Sequence, residues 1–170
     1  MKDCLILGNT NAVTYKDVFP LIKEGKLRSG YHFNTTTEFI TSEGMKTGPN
    51  ISWYTTLATP GKSKLVLTKT YNEKDYPKFD NYDAINVNRL TDIPYDYDGV
   101  MGVPITILKY DLENVEIKGI ANDNRMDEDW VVKGTPTYVN DKHKQFQGMV
   151  VNGKPKYARV LMKIVGGGVP

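Results

Sequence analysis

The chain has 170 residues, of which 39% are hydrophobic and 25% are charged, and its net charge is +2. These values are ordinary for a globular protein. No apolar run approaches the roughly 18 residues that a membrane span requires, and residues 4–7 are too few for a signal-peptide core, so we expect a cytoplasmic protein. With one cysteine and two histidines, neither an internal disulfide nor a thiolate or zinc site is expected.

The charges are unevenly distributed along the chain. Residues 1–74 carry ten Lys/Arg and six Asp/Glu, residues 75–132 carry five and thirteen, and residues 133–170 carry seven and one. The last third is therefore basic and could contact a phosphate backbone. It could equally pair with the acidic middle of the chain, and charge alone leaves both interpretations open.

The first predicted elements are a strand and a short helix. Residues 4–7 are continuously apolar and are followed by Gly8, which predicts a strand buried on both faces, as in a parallel sheet. A helix is predicted from Tyr15, with Thr14 as its cap and Gly25 as its stop. Pro20 falls inside it, so the sequence leaves open a kinked helix or two short turns.

Short strands dominate the rest of the predicted structure. In chain order they are residues 27–33, 39–41, 51–57, 64–70, 83–87, 103–108, 115–120, 138–139, 148–151 and 157–165. The third and fourth of these are predicted to pair as a hairpin, and Asn152-Gly153 is the strongest hairpin turn in the chain. Composition and spacing therefore indicate a β-rich α/β protein without naming its function.

No group of residues points to catalysis or to a metal. Asp96 and Asp98 could hold a cation, but Pro94 and Gly99 on either side favour a solvent-facing turn. Several aromatic residues could stack on DNA bases, including an extruded base, or could line a core or a protein interface. They are Trp53, Tyr82, Tyr95, Tyr97 and Trp130.

Two long segments carry a resemblance to a known family. Residues 76–87 (YPKFDNYDAINV) and 93–106 (IPYDYDGVMGVPIT) closely resemble segments of the EcoRI-type adenine-specific DNA methyltransferases. Shorter similarities lie at residues 5–9, 15–23, 153–154 and 156–161. The resemblance covers nearly the whole chain, and it departs from the family's usual pattern at residues 107–110.

That family transfers a methyl group from S-adenosylmethionine to the exocyclic nitrogen of adenine in DNA, usually beside a restriction enzyme. Its catalytic signature is Asn-Pro-Pro-Phe or a near relative. Neither this signature nor a glycine-rich loop after a strand occurs here. The resemblance therefore implies the C-terminal portion of such an enzyme, with no catalytic, cofactor-binding or metal residue in this chain, and with S-adenosylmethionine as the cofactor of the complete enzyme.

The resemblance also implies a fold. We expect the late strands of a Rossmann-like methyltransferase sheet with one N-terminal helix in residues 1–72, and an irregular, mostly antiparallel β recognition region in residues 73–170, together forming one compact unit. The first strand would be an inner strand with one edge uncovered, which invites pairing. The expected partners are a second copy of the chain, or an N-terminal methyltransferase half, at that edge.

The remaining expected partner is double-stranded DNA. The candidate DNA-binding residues are Arg89, Lys142, Lys144, Lys154, Lys156 and Arg159. We expect the C-terminal portion of a site-specific adenine-N6 methyltransferase of a restriction-modification system, inactive alone. Two alternatives stay open, namely a subunit of a split methyltransferase completed by an N-terminal partner, and a DNA-binding remnant without catalysis.

Overall fold

The computed structural model describes residues 2–31, 33, 35–121, 138–139, 145–146 and 149–166, which are rich in β-structure. The strands are β1 (Leu5–Asn9), β2 (Arg28–Ser29), β3 (Thr35–Thr41), β4 (Gly44–Thr55), β5 (Ile85–Asn86), β6 (Met101–Pro104), β7 (Val115–Ala121), β8 (Tyr138–Val139), β9 (Gln145–Phe146), β10 (Val150–Val151), β11 (Lys154–Pro155) and β12 (Arg159–Ile164). Within the described part, the α-helical content is a single element, α1 (Phe19–Lys23). The 3-10 helices of the described part are Thr10–Thr14, Glu73–Asp75, Leu90–Asp92 and Ile105–Lys109.

The chain forms two compact units. Unit 1 comprises Met1–Ser63 and Leu108–Asp111, and unit 2 comprises Lys64–Ile107 and Leu112–Pro170. Each unit has its own sheet. The division of the chain into residues 1–72 and 73–170 stays a prediction.

The sheet of unit 1 is antiparallel and is built around the long strand β4. Strand β1 pairs with one side of β4, while β2 and β3 also pair with β4. The buried ring of Tyr54 fixes the segment after β1, because its hydroxyl donates hydrogen bonds to the carbonyl oxygens of Asn9 (2.9 Å) and Thr10 (3.0 Å). The Thr10 hydroxyl in turn lies 2.7 Å from that of Ser52, and both residues are buried.

The environment of β1 differs from the predicted one. Among the described residues β1 is the end strand of its sheet, antiparallel to β4. Its aliphatic side chains are exposed on both faces, with exposed fractions of 62% for Leu5, 49% for Ile6 and 52% for Leu7. The prediction of a strand buried on both faces of a parallel sheet is therefore wrong for this chain, since β1 pairs antiparallel with β4 and its side chains are exposed on both faces.

The helix α1 begins later than its sequence predicts. It starts at Phe19, so Pro20 falls in the first turn, where its missing N–H costs no hydrogen bond. The residues before it form a separate 3-10 helix, Thr10–Thr14. Gly25, with φ +68°, ends the helix as predicted, and the next N–H, that of Lys26, donates to the carbonyl of Leu21 at 2.8 Å.

The main sheet of unit 2 has the strand order β5-β6-β12-β7. Strand β12 lies between β6 and β7 and is antiparallel to both, while the short β5 is parallel to β6. One apolar cluster of unit 2 combines residues from three places. These are the segment before β5, the β10–β11 hairpin with the residue before it, and strands β7 and β12 of the sheet. The cluster consists of Phe79, Ala84, Ala121, Met149, Val151 and Leu161.

Some of the predicted strands are confirmed by the structure, and others are wrong. The predictions for β7, β12 and the Asn152-Gly153 hairpin are confirmed, and both hairpin residues have positive φ, 49° and 71°. Residues 64–70 contain no strand, so the hairpin predicted with residues 51–57 is wrong. The predicted strand at residues 103–108 becomes the end of β6 followed by the 3-10 helix Ile105–Lys109.

No helix in the described parts of the chain is long and apolar enough to cross a membrane.

Candidate nucleic-acid interface

Arg159 lies at the start of β12, a central strand of the unit 2 sheet. It is opposite Pro104 of β6 and Ala121 of β7. Gly102, on β6, is its diagonal neighbour across the strand pair, and a Cβ added there would be in ordinary contact with the Arg159 Cβ at 3.6 Å. The sheet therefore fixes the backbone of this arginine from both sides.

The guanidinium of Arg159 is half-buried and makes two long hydrogen bonds. Its Nε donates to Asn86 Oδ1 at 3.5 Å, and its Nη1 donates to the Tyr157 carbonyl at 3.3 Å. Burial lowers the pKa of this guanidinium, although an arginine keeps its charge in proteins. No ion pair of Arg159 is found among the described residues.

Asn86 is a buried polar residue on β5, with 2% of its surface exposed. Its backbone N–H donates to the Pro77 carbonyl at 2.8 Å, and its Nδ2 donates to Asn88 Oδ1 at 3.0 Å. Its Oδ1 is thereby turned toward Arg159. The hydrogen bond joins residues 73 positions apart, because β5 and β12 flank β6 in the same sheet.

A second basic element is the β10–β11 hairpin, which carries Lys154, and the residues after it, which include Lys156. The Asp80 carboxylate holds the hairpin turn, since Oδ1 accepts from the N–H of Asn152 at 3.0 Å and Oδ2 from that of Gly153 at 2.7 Å. The Lys156 N–H donates to the Met149 carbonyl at 2.8 Å. Lys154 is exposed and Lys156 is half-buried.

The structure therefore places four of the six predicted basic residues. Arg89 is exposed and follows Asn88 directly, just before the 3-10 helix Leu90–Asp92. For Arg89, Lys154 and Lys156, no ion pair is found within the described parts of the chain. Lys142 and Lys144 lie outside the described residues.

The aromatic residues near the acidic stretch pack on one another. Tyr71 stacks against Tyr76, with ring centroids 5.6 Å apart, and lies 4.5 Å from the ring of Tyr97. The Tyr71 N–H also donates to Asp96 Oδ1 at 2.6 Å. Burial raises the pKa of Tyr97 and of Tyr76. This arrangement favours packing as the role of Tyr97, while Trp130 lies outside the described residues.

Sequence reasoning missed two residues that accept hydrogen bonds from the Arg159 side chain. Asn86 orients the Arg159 side chain, and its signal in the sequence was an amide within the apolar run at residues 84–87. Tyr157 is 60% exposed and contributes the carbonyl that Arg159 binds. An exposed aromatic ring between two basic residues is suited to stacking on a base.

Chemically, the set of Arg89, Lys154, Lys156 and Arg159 offers cations and hydrogen-bond donors. In the described part of the chain no ion pair with a carboxylate neutralises its charged groups, so they are available to an anion such as a DNA phosphate. The same part of the chain contains no group of three or more His, Cys, Asp or Glu residues that could hold a metal ion. These basic residues are therefore suited to binding an anion.

Comparison with known proteins identifies relatives along nearly the whole chain. The family model described as adenine-specific methyltransferase EcoRI matches residues 1–164. The chain is 39% identical to the Type II methyltransferase M.EcoRI of Escherichia coli, over 95% of the chain and 50% of the relative. It is 34% identical to M.MgeORF184P of Mycoplasma genitalium and 32% identical to M.MpnI of Mycoplasma pneumoniae, both Type II methyltransferases, over 95% of the chain and 57% and 56% of the relatives.

The chain thus spans about half the length of the curated relatives that it matches. No solved structure gives a significant match.

Proposed function

The chain belongs to the family of the adenine-specific methyltransferase EcoRI, and from this premise we propose that it contributes DNA recognition to a site-specific adenine-N6 methyltransferase of a restriction-modification system. The observation that carries the proposal is a group of basic residues of unit 2, three of them within residues 154–159, that form no ion pair in the described part of the chain. They are Arg89, Lys154, Lys156 and Arg159; exposed lysines elsewhere in unit 2, such as Lys74, also form none there. Basic groups of this kind bind DNA through its phosphates, which sets the register of the protein, or through the edges of its bases.

Catalysis is proposed to reside in another part of the enzyme. The sequence contains no Asn-Pro-Pro-Phe motif. In the described residues the parallel pairing of β5 with β6 is only two residues long, and it leads into 3-10 segments and not into a glycine-rich turn and helix. These residues do not fit S-adenosylmethionine, which we assign to the complete enzyme. Alone, the chain should not methylate DNA, and its proposed place of action is the cytoplasm.

Strand β1 is the proposed point of contact with that other part. We propose that an N-terminal methyltransferase half supplies a strand that pairs with the outer edge of β1, so that β1 becomes an inner strand only in the sheet of the complete, Rossmann-like enzyme. The support is the exposure of Leu5, Ile6 and Leu7 at the end of a sheet whose outer edge is unpaired in the described part. A split enzyme, in which this half is a separate subunit, is the second candidate, and self-association through β1 is the competing outcome.

DNA binding is tested by measuring affinity for duplex DNA as a function of salt. Replacing both Lys154 and Lys156 by Gln should weaken binding to all sequences and reduce the salt slope by about one unit for each of these lysines that binds a phosphate. Lys74→Gln, an exposed lysine between Glu73 and Asp75, is the matched control and should change neither. A wild-type chain without measurable affinity at low salt would contradict the proposal.

The partner is tested by native mass measurement. The chain is mixed with the half of M.EcoRI that it does not match, and methyl transfer is assayed in the mixture. Formation of a one-to-one complex that Leu7→Glu prevents is the expected result. A clean monomer at high concentration, with or without that half, would refute the role given to β1, while a dimer of the chain alone would replace the half by a second copy.

A further inference from the structure

Arg159 differs from the other candidate basic residues because its side chain is both half-buried and hydrogen-bonded within the described part of the chain. Arg89 and Lys154 are exposed and lie next to turns, whereas Arg159 is half-buried on a central strand and makes hydrogen bonds to Asn86 and Tyr157. Phosphate contacts tolerate mobile side chains, but reading a base requires a side chain held in one orientation. The two kinds of basic residue are therefore suited to different tasks.

The hydrogen bonds of Arg159 determine which of its N–H groups can still bind a ligand. The Nε–H is directed to Asn86 Oδ1 and one Nη1–H to the Tyr157 carbonyl. Within the described part of the chain, this leaves both Nη2–H groups and the second Nη1–H without a hydrogen-bond acceptor. Adjacent N–H groups on Nη1 and Nη2 form the fork that binds O6 and N7 of guanine in the major groove.

Asn86 has a fixed orientation because each end of its amide has a partner. The Nδ2 group donates to Asn88 Oδ1, so the Oδ1 atom must face the guanidinium of Arg159. The residue is buried, and its backbone is held by the Pro77 carbonyl. The buried Asn86 oxygen binds the Nε side of the guanidinium. The Nη1 and Nη2 groups at the far end of the side chain are then the ones that can approach DNA.

Burial adds a second reason for an acceptor-rich ligand. The Arg159 guanidinium is partly removed from water, and no ion pair compensates it among the residues that the structure describes. A half-buried cation gains more from a directional, doubly hydrogen-bonded partner than an exposed lysine does. The edge of guanine is such a partner.

We propose that Arg159 reads a guanine of the recognition sequence and that Asn86 is the positioning residue that orients it. This inference rests on the proposed DNA-binding function and makes it more specific. Lys154, Lys156 and Arg89 contact phosphates and set affinity, whereas Arg159 sets sequence preference. A guanine is thus expected at a fixed position of the DNA site.

The test is selection of bound duplexes from a pool with a randomised central window, followed by sequencing. The wild-type chain should enrich a guanine at one position. Arg159→Lys keeps the charge and the ability to bind phosphate but removes the fork, so it should reduce the preference for that guanine by about ten-fold while binding to unselected DNA is retained. The variant with Gln at positions 154 and 156 should bind all sequences more weakly with an unchanged preference.

Two substitutions of Asn86 test positioning separately from folding. Asn86→Leu removes the acceptor with little change in volume and should blur the guanine preference. Asn86→Asp keeps an acceptor for Arg159 Nε but loses the donor to Asn88 and adds a negative charge, so it should retain the guanine preference at a lower overall affinity for DNA. Thermal unfolding shows whether each variant is folded, and its base preference is compared with that of the wild-type chain. A folded variant with a changed base preference has lost the positioning of Arg159 and not its structure.

The outcomes distinguish this inference from the proposed function. An unchanged base preference in Arg159→Lys, or equal preferences in the Leu and Asp variants of Asn86, would overturn the inference and leave DNA binding in place. A wild-type chain that binds DNA without any guanine preference would do the same. A wild-type chain that does not bind DNA would overturn the proposed function itself.

Discussion

Lys62 is a residue of unit 1 whose charge is costly to the fold. Its Nζ donates to Ser29 Oγ at 3.0 Å and to the Leu108 carbonyl at 2.9 Å, and Ser29 Oγ itself donates to that carbonyl. Burial lowers the pKa of Lys62 to about 8; Asp111 opposes this change and Arg28 adds to it. We therefore predict that Lys62 makes the stability of the chain depend on pH.

The direction follows from the protons bound in each state. In the unfolded chain the pKa of the Lys62 amine is 10.5, and in the folded chain it is about 8. Between these values the unfolded chain binds more protons, so the free energy of unfolding rises as pH rises. Below pH 8 the amine is protonated in both states, and the folded chain bears the full cost of the buried charge.

The magnitude is modest because the side chain is only half-buried. A fully buried amine with this pKa change would add about 2 kcal/mol between about pH 7 and pH 9.5. Solvent screening of a half-exposed group reduces the expected gain to about 1 kcal/mol. Tyr54 acts in the opposite direction at higher pH, because burial raises its pKa, so the useful range ends near about pH 9.5.

The assay is urea unfolding across this pH range for the wild-type chain and for Lys62→Met. The substitution removes the titrating amine but leaves the Ser29–Leu108 hydrogen bond, so the variant should be at least as stable as the wild type at neutral pH and should not gain stability as pH rises. Lys69→Met, at an exposed lysine, is the control and should behave as the wild type. Equal pH dependence in the wild type and Lys62→Met would refute the reasoning.

Three further predictions concern stability and are checked by thermal and urea unfolding. Asp80→Asn should cost about 1 kcal/mol, because one of the two N–H groups of the β10–β11 turn is left without its acceptor; an unchanged midpoint would contradict this. Gly102→Ala should cost about 1–3 kcal/mol, because its Cβ would lie 2.6 Å from the buried ring of Phe79, and Gly102→Ser should be no better. Tyr54→Phe should cost about 1 kcal/mol, because the buried hydroxyl that bonds β1 and the following residue is removed. Tyr31→Phe removes a hydroxyl that donates to the Pro60 carbonyl at an exposed site, where water can replace it, and should cost less.

The elements that the sequence predicts correctly have local causes. The turn at Asn152-Gly153 requires two positive φ angles, which these residues adopt easily. Strand β12 follows from the apolar run Val160-Leu161-Met162, which is fully buried. Gly25 ends α1 for the same local reason. In each case a few adjacent residues determine the conformation.

The elements that the sequence predicts wrongly depend on partners far along the chain. Residues 64–70 have a composition typical of strands but have only isolated bridges, such as that of Lys69 with Pro94. Likewise, the candidate basic residues could be named from charge, but the hydrogen bond between Asn86 and Arg159 could not be predicted. It depends on the order of β5, β6 and β12, which no local pattern specifies.

Strands β1 and β12 have similar patterns in opposite environments. Both contain three consecutive apolar residues, which is typical of a strand covered on both faces. In β12 these residues are fully buried between β6 and β7, whereas Leu5, Ile6 and Leu7 of β1 are about half-exposed. Each such side chain gains about 2 kcal/mol on full burial, so a polypeptide that packed against the faces of β1 would recover a substantial part of that energy. Because the same pattern is satisfied in unit 2, its failure in unit 1 is a local conflict, and a covering polypeptide at β1 is the arrangement that resolves it.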